Sequence, residues 1–274
     1  MVRFGLLGEK LGHSLSPKIH NLLFQELKID GDYALLEVER EELPFFLAQA
    51  RGKFDGLNVT IPYKKAVIPY LSNIAKEAGS IGAVNTISFQ NGEAKGYNTD
   101  YYGFGFLLNH NHIEVRNKKT AVLGSGGAAR AVLQYLNDNG AGEILIVSRN
   151  PRQSAEDLLE MQLEVPLQFC DYTELINRSG DVLINCTPLG MFPLVNASPV
   201  SREVIVKFDA AVDLIYNPAE TVFLRYAREY GKKTANGLIM LVAQAVAAEE
   251  IWLQRKIEDN LIVKIADLIS GEVQ

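Results

Sequence analysis

Short apolar segments and amphipathic segments alternate along the first hundred residues. The apolar or alternating segments, which predict β-strands, lie at 2–8, 33–39 and 54–61. The segments with apolar residues at helical spacing lie at 16–29, at 42–51 and after Pro62. Ser16 and Pro17 suit the start of the first of these helices, since serine caps helices and proline fits their first turn. This order predicts a largely parallel sheet with helices packed against it.

The second half of the chain opens with one complete strand–helix–strand unit. Residues 118–150 comprise an apolar strand, a glycine turn, an amphipathic helix and a second apolar strand. Further strands are predicted at 181–187 and 208–216, and the chain after Gly237 is predicted to be helical. We therefore expect an α/β protein with two domains and a cleft between them. The expected boundaries are 1–101 with 238–274 for the first domain and 102–237 for the second.

Composition and charge narrow the classes of function. The chain has 274 residues, of which 47% are hydrophobic and 22% charged, and its formal net charge is −6. Such an acidic chain is not expected to bind nucleic acid, which requires a basic surface. The first residues lack the apolar core of a signal peptide, and the longest apolar segment, 238–248, is too short to span a membrane. We expect a cytoplasmic protein without membrane contact.

The cysteines and histidines give no sign of a metal site. Cys170 and Cys186 do not have the spacing of metal ligands or of a disulfide framework, so we interpret both as small core residues. His13 and His20 are not paired with a nucleophile or with a metal-binding partner, and we interpret both as structural. The sequence therefore predicts no bound metal.

The glycine turn after the first strand of the 118–150 unit matches a dinucleotide fingerprint. Gly124, Gly126 and Ala129 fit the pattern G-x-G-x-x-G/A between a strand and a helix. Gly124 would form the tight turn, and Gly126 would let the backbone approach a pyrophosphate at the helix N-terminus. The alternative is a glycine turn without a ligand, but its placement in a strand–helix–strand unit favours a nucleotide.

The end of the second strand in this unit indicates which dinucleotide is bound. NAD-binding units usually carry an acidic residue there, which bonds the ribose 2′-hydroxyl and would repel a 2′-phosphate. This chain instead has Ser148, Arg149 and Asn150, followed by Arg152. A guanidinium suits phosphate through its paired donors. The loop favours NADP, although Arg149 on its own is also compatible with a solvated loop cation.

Further motifs along the chain together resemble those of the shikimate dehydrogenase family. They are GHSLSPKIHN (12–21), NVTIPYK (58–64), GAVNT (82–86), NTD (98–100), GSGGAARA (124–131), NCTPLGM (185–191), LIYNPAET (214–221) and NGLIMLVAQA (236–245). They occur in the order of that family and span essentially the whole length of the chain. The resemblance implies an α/β substrate-binding domain at the N-terminus and a Rossmann-type NADP-binding domain.

The resemblance also implies a reaction and the residues that carry it. The family reduces 3-dehydroshikimate to shikimate with NADPH, in the chorismate pathway to aromatic amino acids. Lys64 and Asp100 are expected at the oxygen that changes oxidation state. The expected substrate contacts are Ser14, Ser16 and Tyr216 at the carboxylate, and Thr60, Asn85 and Gln244 at the hydroxyls. The expected cofactor contacts are Glu77, Gly124, Ser125, Gly126, Gly127, Ala128, Ala129, Ser148, Arg149, Asn150, Arg152, Thr187, Leu214 and Gly237.

One loop departs from the family pattern. The family usually has Asn-Arg-Thr at the adenosine phosphate, with a second arginine a few residues later. This chain has Ser148 in the first of these places, and Arg152 is shifted. The missing acidic residue still argues against strict use of NAD.

Lys64 is predicted in the first turn of the helix after Pro62, where the helix dipole disfavours a cation. The dipole contributes roughly 0.3–1 kcal/mol, which is too little to make the amine neutral at pH 7. Asp100 is predicted at the cap or in the first turn of another helix, where a carboxylate is favoured. An ionised Asp100 beside Lys64 would keep the amine charged. We therefore expect Lys64 to donate a proton to the forming alkoxide as a general acid.

Two other functions stay open at this point. One is a quinate/shikimate dehydrogenase that uses NAD, and the missing acidic residue near 148–150 argues against it. The other is a non-catalytic sensor on the same fold, and the presence of both Lys64 and Asp100 argues against that. The sequence contains no evident self-association motif, so the oligomeric state, a homodimer included, also stays open.

Overall fold

The computed structural model describes residues 1–12 and 14–271. His13, which we interpreted as structural, lies outside the described residues. The chain folds into two compact units. The first unit comprises Met1–Tyr102 and Val242–Ile265, and the second comprises Gly103–Leu241 and the chain from Ala266 onward. The predicted α/β class is confirmed, since each unit contains a sheet with parallel strands.

Strands and helices alternate over most of the described chain. The strands are β1 (Val2–Gly8), β2 (Gly31–Glu37), β3 (Gly56–Val59), β4 (Asn73–Ile74), β5 (Thr86–Gln90), β6 (Glu93–Tyr97), β7 (Lys119–Leu123), β8 (Glu143–Val147), β9 (Leu167–Cys170), β10 (Val182–Asn185), β11 (Ala210–Asp213) and β12 (Lys233–Ala235). The helices are α1 (Ser16–Leu27), α2 (Leu43–Ala50), α3 (Tyr63–Ala66), α4 (Lys76–Ile81), α5 (Thr99–His110), α6 (Gly127–Asp138), α7 (Pro151–Leu158), α8 (Tyr172–Leu175), α9 (Arg202–Ile205), α10 (Val222–Glu229), α11 (Leu238–Leu253) and α12 (Asp259–Ser270).

The sheet of the first unit has the strand order β2-β1-β3-β5-β6-β4. β1 is parallel to β2 and β3, whereas β5 is antiparallel to β3 and β6. The β5–β6 hairpin was not predicted from the hydrophobic pattern. Its turn is formed by Asn91 and Gly92, which have positive φ angles of 51° and 76°. An Asn-Gly pair favours this conformation and is a strong hairpin signal, so the hairpin could have been predicted.

The sheet of the second unit is parallel throughout and has the order β12-β11-β10-β7-β8-β9. This is the doubly wound order of dinucleotide-binding domains, with β7 as the first strand and neighbours added on both sides of it. Val122 and Ile184 belong to one core cluster, and Leu123 and Leu183 belong to another. Successive side chains of a strand point to opposite faces, so both faces of the sheet are covered. The carboxyl ends of β7, β8 and β10 meet at one edge.

Both cysteines are buried or half-buried in the second unit. Cys170 belongs to one core cluster and Cys186 packs against the other, in agreement with our interpretation of both as core residues. Burial raises the pKa of both thiols, so neither is activated as a nucleophile. Within the described residues, no cluster of His, Cys, Asp or Glu side chains is arranged to hold a metal ion. A helix that combines the length and the apolar character needed to cross a bilayer is also absent from this part of the chain.

Candidate active site

Lys64 lies in α3, which is a single turn long. As the sequence predicted, this helix follows Pro62, which occupies the cap position, and Tyr63 begins the helix. Lys64 is therefore the second residue of the helix. Because a helix of four residues has few aligned peptide dipoles, the dipole has even less effect on this amine than the sequence suggested.

Asp100 is the direct partner of Lys64. It lies in the first turn of α5, as predicted, and its Oδ2 accepts a hydrogen bond from Lys64 Nζ at 2.6 Å. The side chains of Lys64 and Asp100 are 20% and 13% exposed, so their attraction is only weakly screened by water. Asn85 Nδ2 donates to the other carboxylate oxygen, Oδ1, at 2.9 Å. With both of its oxygens engaged, Asp100 holds the lysine ammonium in one position.

Asn85 is held in turn by the residues around it. Its Oδ1 accepts from the backbone N–H of Thr99 at 2.7 Å, directly before Asp100 in the chain. The Thr99 hydroxyl lies 3.4 Å from Gln244 Oε1, so Gln244 of α11 reaches the same cluster. Asn85 O also accepts from the N–H of Val59, which directly precedes Thr60 in the chain. The first unit thus brings together four residues predicted at the substrate: Lys64, Asp100, Asn85 and Gln244.

The two serines predicted at the substrate carboxylate are hydrogen-bonded to each other at the start of α1. Ser16 was predicted to cap α1, but it is the first helical residue and Leu15 occupies the cap position. Ser14 Oγ accepts a hydrogen bond from the N–H of Ser16 at 3.2 Å. A serine that accepts from the backbone still has its own hydrogen to donate, so this contact leaves Ser14 able to bind a carboxylate.

A buried hydrogen-bonded network, which the sequence did not indicate, supports this cluster. Tyr33 donates to Asn58 Oδ1 at 2.7 Å, and Asn58 Nδ2 donates to the hydroxyl of Thr86 at 3.1 Å. Thr86 donates to Asn85 Oδ1 at 3.0 Å, and Asn85 bonds Asp100. The only signal in the sequence is the polar Asn58 inside the otherwise apolar strand β3, since a buried amide needs partners.

Tyr33 connects this network to α1 and α11. Burial raises the pKa of its phenol well above the usual value, while a hydrogen bond with Ser16 opposes the shift. The ring of His20 stacks on Tyr33 with centroids 4.0 Å apart, and His20 Nδ1 lies 2.7 Å from Glu249 Oε1. His20 and Glu249 are both completely buried. Their packing agrees with our interpretation of His20 as structural.

The glycine loop of the second unit connects β7 to α6. Gly124 has a φ of +94°, and a Cβ there would lie 3.1 Å from Thr187 Cγ2, so both conformation and space favour glycine. A Cβ on Gly126 or Gly127 would instead project into open space. The loop therefore leaves its backbone N–H groups accessible at the start of α6, as a pyrophosphate requires. These residues fit a dinucleotide. Ala128 is half-buried and Ala129 is fully buried, so Ala129 acts by letting α6 pack on the sheet.

The four residues predicted at the adenosine phosphate differ in exposure. Ser148 is buried, and its Oγ accepts a hydrogen bond from Ser154 at 2.7 Å. Asn150 caps α7 by accepting from the N–H of Gln153. The Arg152 side chain is 92% exposed and lies 3.5 Å from Glu156, one turn along α7. Arg149 is exposed between these residues, directly after Ser148.

Thr187 and Leu214 follow the neighbouring strands β10 and β11. The Thr187 hydroxyl donates to Asn185 Oδ1 at 2.7 Å, which fixes the loop beside Gly124. A Cβ on Gly237 would lie 2.1 Å from the carbonyl oxygen of Leu214, so only glycine fits there. Tyr216 is half-buried in the same unit, and Glu77 lies in the first turn of α4 in the first unit. The roles of Tyr216 and Glu77 stay predictions.

Asp213 is a buried carboxylate behind these loops that the sequence analysis did not single out. It accepts hydrogen bonds from Asn185 Nδ2 at 3.0 Å, from the Ile215 N–H at 3.0 Å and from the Thr221 hydroxyl at 2.7 Å. It therefore ties the loop after β10 to the loop after β11. Burial raises the pKa of Asp213 to about 6, although these three hydrogen bonds oppose the shift.

We expect Asp213→Asn to change how stability depends on pH. An aspartate in the unfolded chain ionises near pH 3.9. Because the folded pKa is higher, the stability that protonated Asp213 contributes is fully present below about pH 4 and is lost as pH rises through about 6. In denaturant unfolding, the variant should thus fall furthest below the wild type in free energy of unfolding near pH 4. This difference should shrink by on the order of 2 kcal/mol toward pH 7. A deficit that is constant over this range would contradict a titrating Asp213.

Comparison with known proteins identifies the family. A family model described as the shikimate dehydrogenase substrate binding domain matches residues 6–87. A curated relative named shikimate dehydrogenase (NADP(+)), from Clostridium beijerinckii, is 47% identical over 98% of this chain and 98% of its own length. The chain belongs to the shikimate dehydrogenase family. The resemblance inferred from the sequence motifs is thereby confirmed.

Solved structures of shikimate dehydrogenases share this fold over the full chain. A chorismate mutase/shikimate 5-dehydrogenase fusion protein from Clostridium acetobutylicum has a TM-score of 0.95 and 49% identity, covering 100% of this chain and 98% of that chain. Shikimate 5-dehydrogenase from Thermus thermophilus, solved in complex with NADP(H) and shikimate, has a TM-score of 0.87 and 33% identity, covering 98% and 99%. The predicted pairing of a substrate-binding domain with a Rossmann-type domain agrees with these members of the shikimate dehydrogenase family.

Proposed function

We propose that this chain catalyses the reversible NADP-dependent reduction of 3-dehydroshikimate to shikimate, with Lys64 and Asp100 as the proton-transfer pair. The observation that carries this proposal is the ion pair at 2.6 Å, held by Asn85 inside the unit that contains the matched substrate-binding segment. The first unit would bind the substrate and the second would bind NADP. The relatives bear the name of this activity, and a related structure holds both compounds.

Lys64 acts as the general acid in the direction of reduction. When bound, NADPH supplies a hydride to the carbonyl carbon. Negative charge then develops on the carbonyl oxygen, and the Lys64 ammonium donates a proton to it. In the reverse direction the amine accepts the proton of the substrate hydroxyl. Asp100 stabilises the ammonium and, with Asn85 on its other oxygen, holds Lys64 Nζ in one orientation.

The remaining predicted contacts have chemistry that suits a hydroxylated acid. Ser14 has a hydroxyl hydrogen that can be donated to a carboxylate. The contact of Ser16 with the carboxylate is proposed from the resemblance. Thr60, Asn85 and Gln244 offer both donors and acceptors, which suits the ring hydroxyls. Tyr216 belongs to the second unit, and its contact with the carboxylate is proposed from the resemblance alone.

NADP is proposed to bind at the carboxyl edge of the second sheet. The open space above Gly126 and Gly127 accommodates the pyrophosphate, and the N–H groups at the start of α6 can donate to it. Arg149 is exposed at the end of β8, where the ribose is read in dinucleotide-binding domains. Its guanidinium is proposed to bind the 2′-phosphate.

We expect Arg149→Ala to raise the KM for NADP by about 10- to 100-fold, because hydrogen bonds to a charged group contribute roughly 1.5–3 kcal/mol. The KM for NAD should change little, since NAD lacks the 2′-phosphate. Initial rates with shikimate and each cofactor provide the measurement. Arg178→Ala is a matched control, because Arg178 is exposed in the loop before β10, at the opposite edge of the sheet. Equal losses with NADP and NAD would refute the phosphate assignment.

One assay tests the whole proposal. The purified protein is given shikimate or quinate with NADP or NAD, and the absorbance of the reduced nicotinamide is followed. Turnover of shikimate with NADP is expected. Turnover of quinate with NAD would instead support the quinate/shikimate dehydrogenase, and binding of shikimate without turnover would support the sensor. A cytoplasmic location stays a prediction, and the oligomeric state, a homodimer included, stays open.

A further inference from the structure

Three serine hydroxyls form a row in the second unit, which we call the serine relay: Ser125, Ser154 and Ser148. Ser125 lies in the glycine loop after β7, Ser148 directly follows β8, and Ser154 lies in α7. Ser154 Oγ lies 2.9 Å from Ser125 Oγ and donates to Ser148 Oγ at 2.7 Å. Ser154 and Ser148 are only 4% and 7% exposed. Water therefore competes weakly with these bonds.

The relay has a direction. A serine hydroxyl has a single hydrogen to donate. Because the hydrogen of Ser154 is donated to Ser148, the hydrogen bond between Ser125 and Ser154 must be donated by Ser125. All the hydrogens of the relay point toward Ser148. The oxygen of Ser148 already accepts, and its own hydrogen is left to donate outside the relay.

The position of Ser148 gives this direction a consequence for the cofactor. Ser148 occupies the end of the second strand, where NAD-binding domains carry an acidic residue that accepts from the ribose 2′-hydroxyl. A hydroxyl held as a donor has the opposite hydrogen-bonding role, since the acidic residue accepts and the hydroxyl donates. It matches a phosphate oxygen, and a hydrogen bond to a charged acceptor is stronger than one to a neutral hydroxyl.

We propose that Ser154 is a specificity-determining positioning residue, which through the serine relay holds Ser148 as a hydrogen-bond donor to the 2′-phosphate of NADP. This inference rests on the proposed binding of NADP by the second unit. Arg149 supplies the charge for the phosphate, and the relay supplies a fixed donor beside it. Ser125 also couples the glycine loop, at the pyrophosphate, to this end of the site.

Binding of 2′,5′-ADP and of 5′-ADP to the full chain isolates the contribution of the 2′-phosphate. In titration calorimetry we expect Ser154→Ala to weaken 2′,5′-ADP by about 3- to 10-fold, because this variant loses the alignment of the Ser148 hydrogen bond and not the bond itself. Binding of 5′-ADP should stay within about twofold of the wild type. Ser154→Thr keeps the hydroxyl and should restore binding of 2′,5′-ADP. Ser88→Ala is the matched control, because Ser88 is equally buried but lies in the first unit.

A double-mutant comparison makes the test specific. Ser148→Ala removes the donor itself without altering α7, and it should weaken 2′,5′-ADP at least as much as Ser154→Ala does. Adding Ser154→Ala to that variant should then cause little further loss, because the two residues act through one hydrogen bond. Fully additive losses would overturn the relay. Equal weakening of 2′,5′-ADP and 5′-ADP by Ser154→Ala would also overturn it, since Ser154 would then only pack α7.

The same measurements separate the relay from the proposed function. If the wild-type chain binds 2′,5′-ADP no more tightly than 5′-ADP, the 2′-phosphate site itself is wrong. If the wild type discriminates and Ser154→Ala discriminates to the same extent, only the relay is wrong and the NADP site stands.

Discussion

Replacing Lys64 by alanine is expected to lower kcat for shikimate oxidation by about 10²- to 10⁴-fold, the range that a positioned proton-transfer group supplies. The KM for shikimate should change much less, because Lys64 is one of several groups proposed to contact the substrate. The large loss of kcat is expected because the ion pair fixes the Lys64 amine at 2.6 Å from Asp100, in a site that is mostly shielded from water. Steady-state kinetics with NADP and varied shikimate provide the measurement.

Lys65 offers a closely matched control for this experiment. It follows Lys64 in the same one-turn helix but is exposed to solvent. Lys65→Ala should keep kcat near the wild-type value. Thermal unfolding of both variants shows whether the fold is retained, since Lys64→Ala removes the Lys64 hydrogen bond to Asp100 and leaves the one from Asn85. A folded Lys64→Ala variant with a kcat near that of the wild type would remove this lysine from the proton-transfer step.

Asp100→Asn is expected to lower kcat/KM by about 100-fold, at the lower end of the effect of losing proton-transfer catalysis. The side chain keeps its size, but one carboxylate oxygen becomes an NH₂ group. That group must face either Lys64 Nζ or Asn85 Nδ2, and both are donors. Lys64 therefore loses its negatively charged partner in either orientation, and the hydrogen bond from Lys64 or the one from Asn85 is lost as well. Measurements of kcat/KM for shikimate, with saturating NADP, test this expectation.

Asp32→Asn is the control for the carboxylate. Asp32 is an exposed residue of the edge strand β2, so the same chemical change there should leave kcat/KM unaltered. Wild-type activity in a folded Asp100→Asn variant would show that proton transfer does not need the negative charge. Lys64 would then have to be oriented by other groups.

The strand–helix–strand segment at 118–150 of the second unit could be predicted closely because its signals are local, whereas β9 and β12 of the same unit were not predicted. β7, the glycine loop, α6 and β8 follow one another within 118–150, and each is marked by a short apolar segment or by glycine. The first unit was predicted less completely. Its β5–β6 hairpin was missed, and the cap of α1 is Leu15 and not Ser16, because helix ends depend on backbone contacts that propensity alone does not contain.

The candidate site was likewise predicted only in part. Lys64 and Asp100 were predicted from motifs of the family, and the structure places them in contact although 36 positions separate them. Tyr33 and Asn58 were not predicted, since an isolated polar residue in an apolar segment does not reveal its partner. Asp213 was missed for the same reason. It ends an apolar strand, and only the fold shows that donors from three directions converge on it.

Sequence alone determined the α/β class, the dinucleotide fingerprint, the family and the residue types that the chemistry requires. These follow from periodicity and from motifs, which are properties of neighbouring residues. Tertiary structure alone decided which polar side chains meet. The serine relay joins Ser125 to Ser154 across 29 positions, and the network of the first unit joins Tyr33 to Asn58 across 25. Such contacts depend on strand order and register, because the direction and the few ångströms that a hydrogen bond demands are set only when distant segments pack.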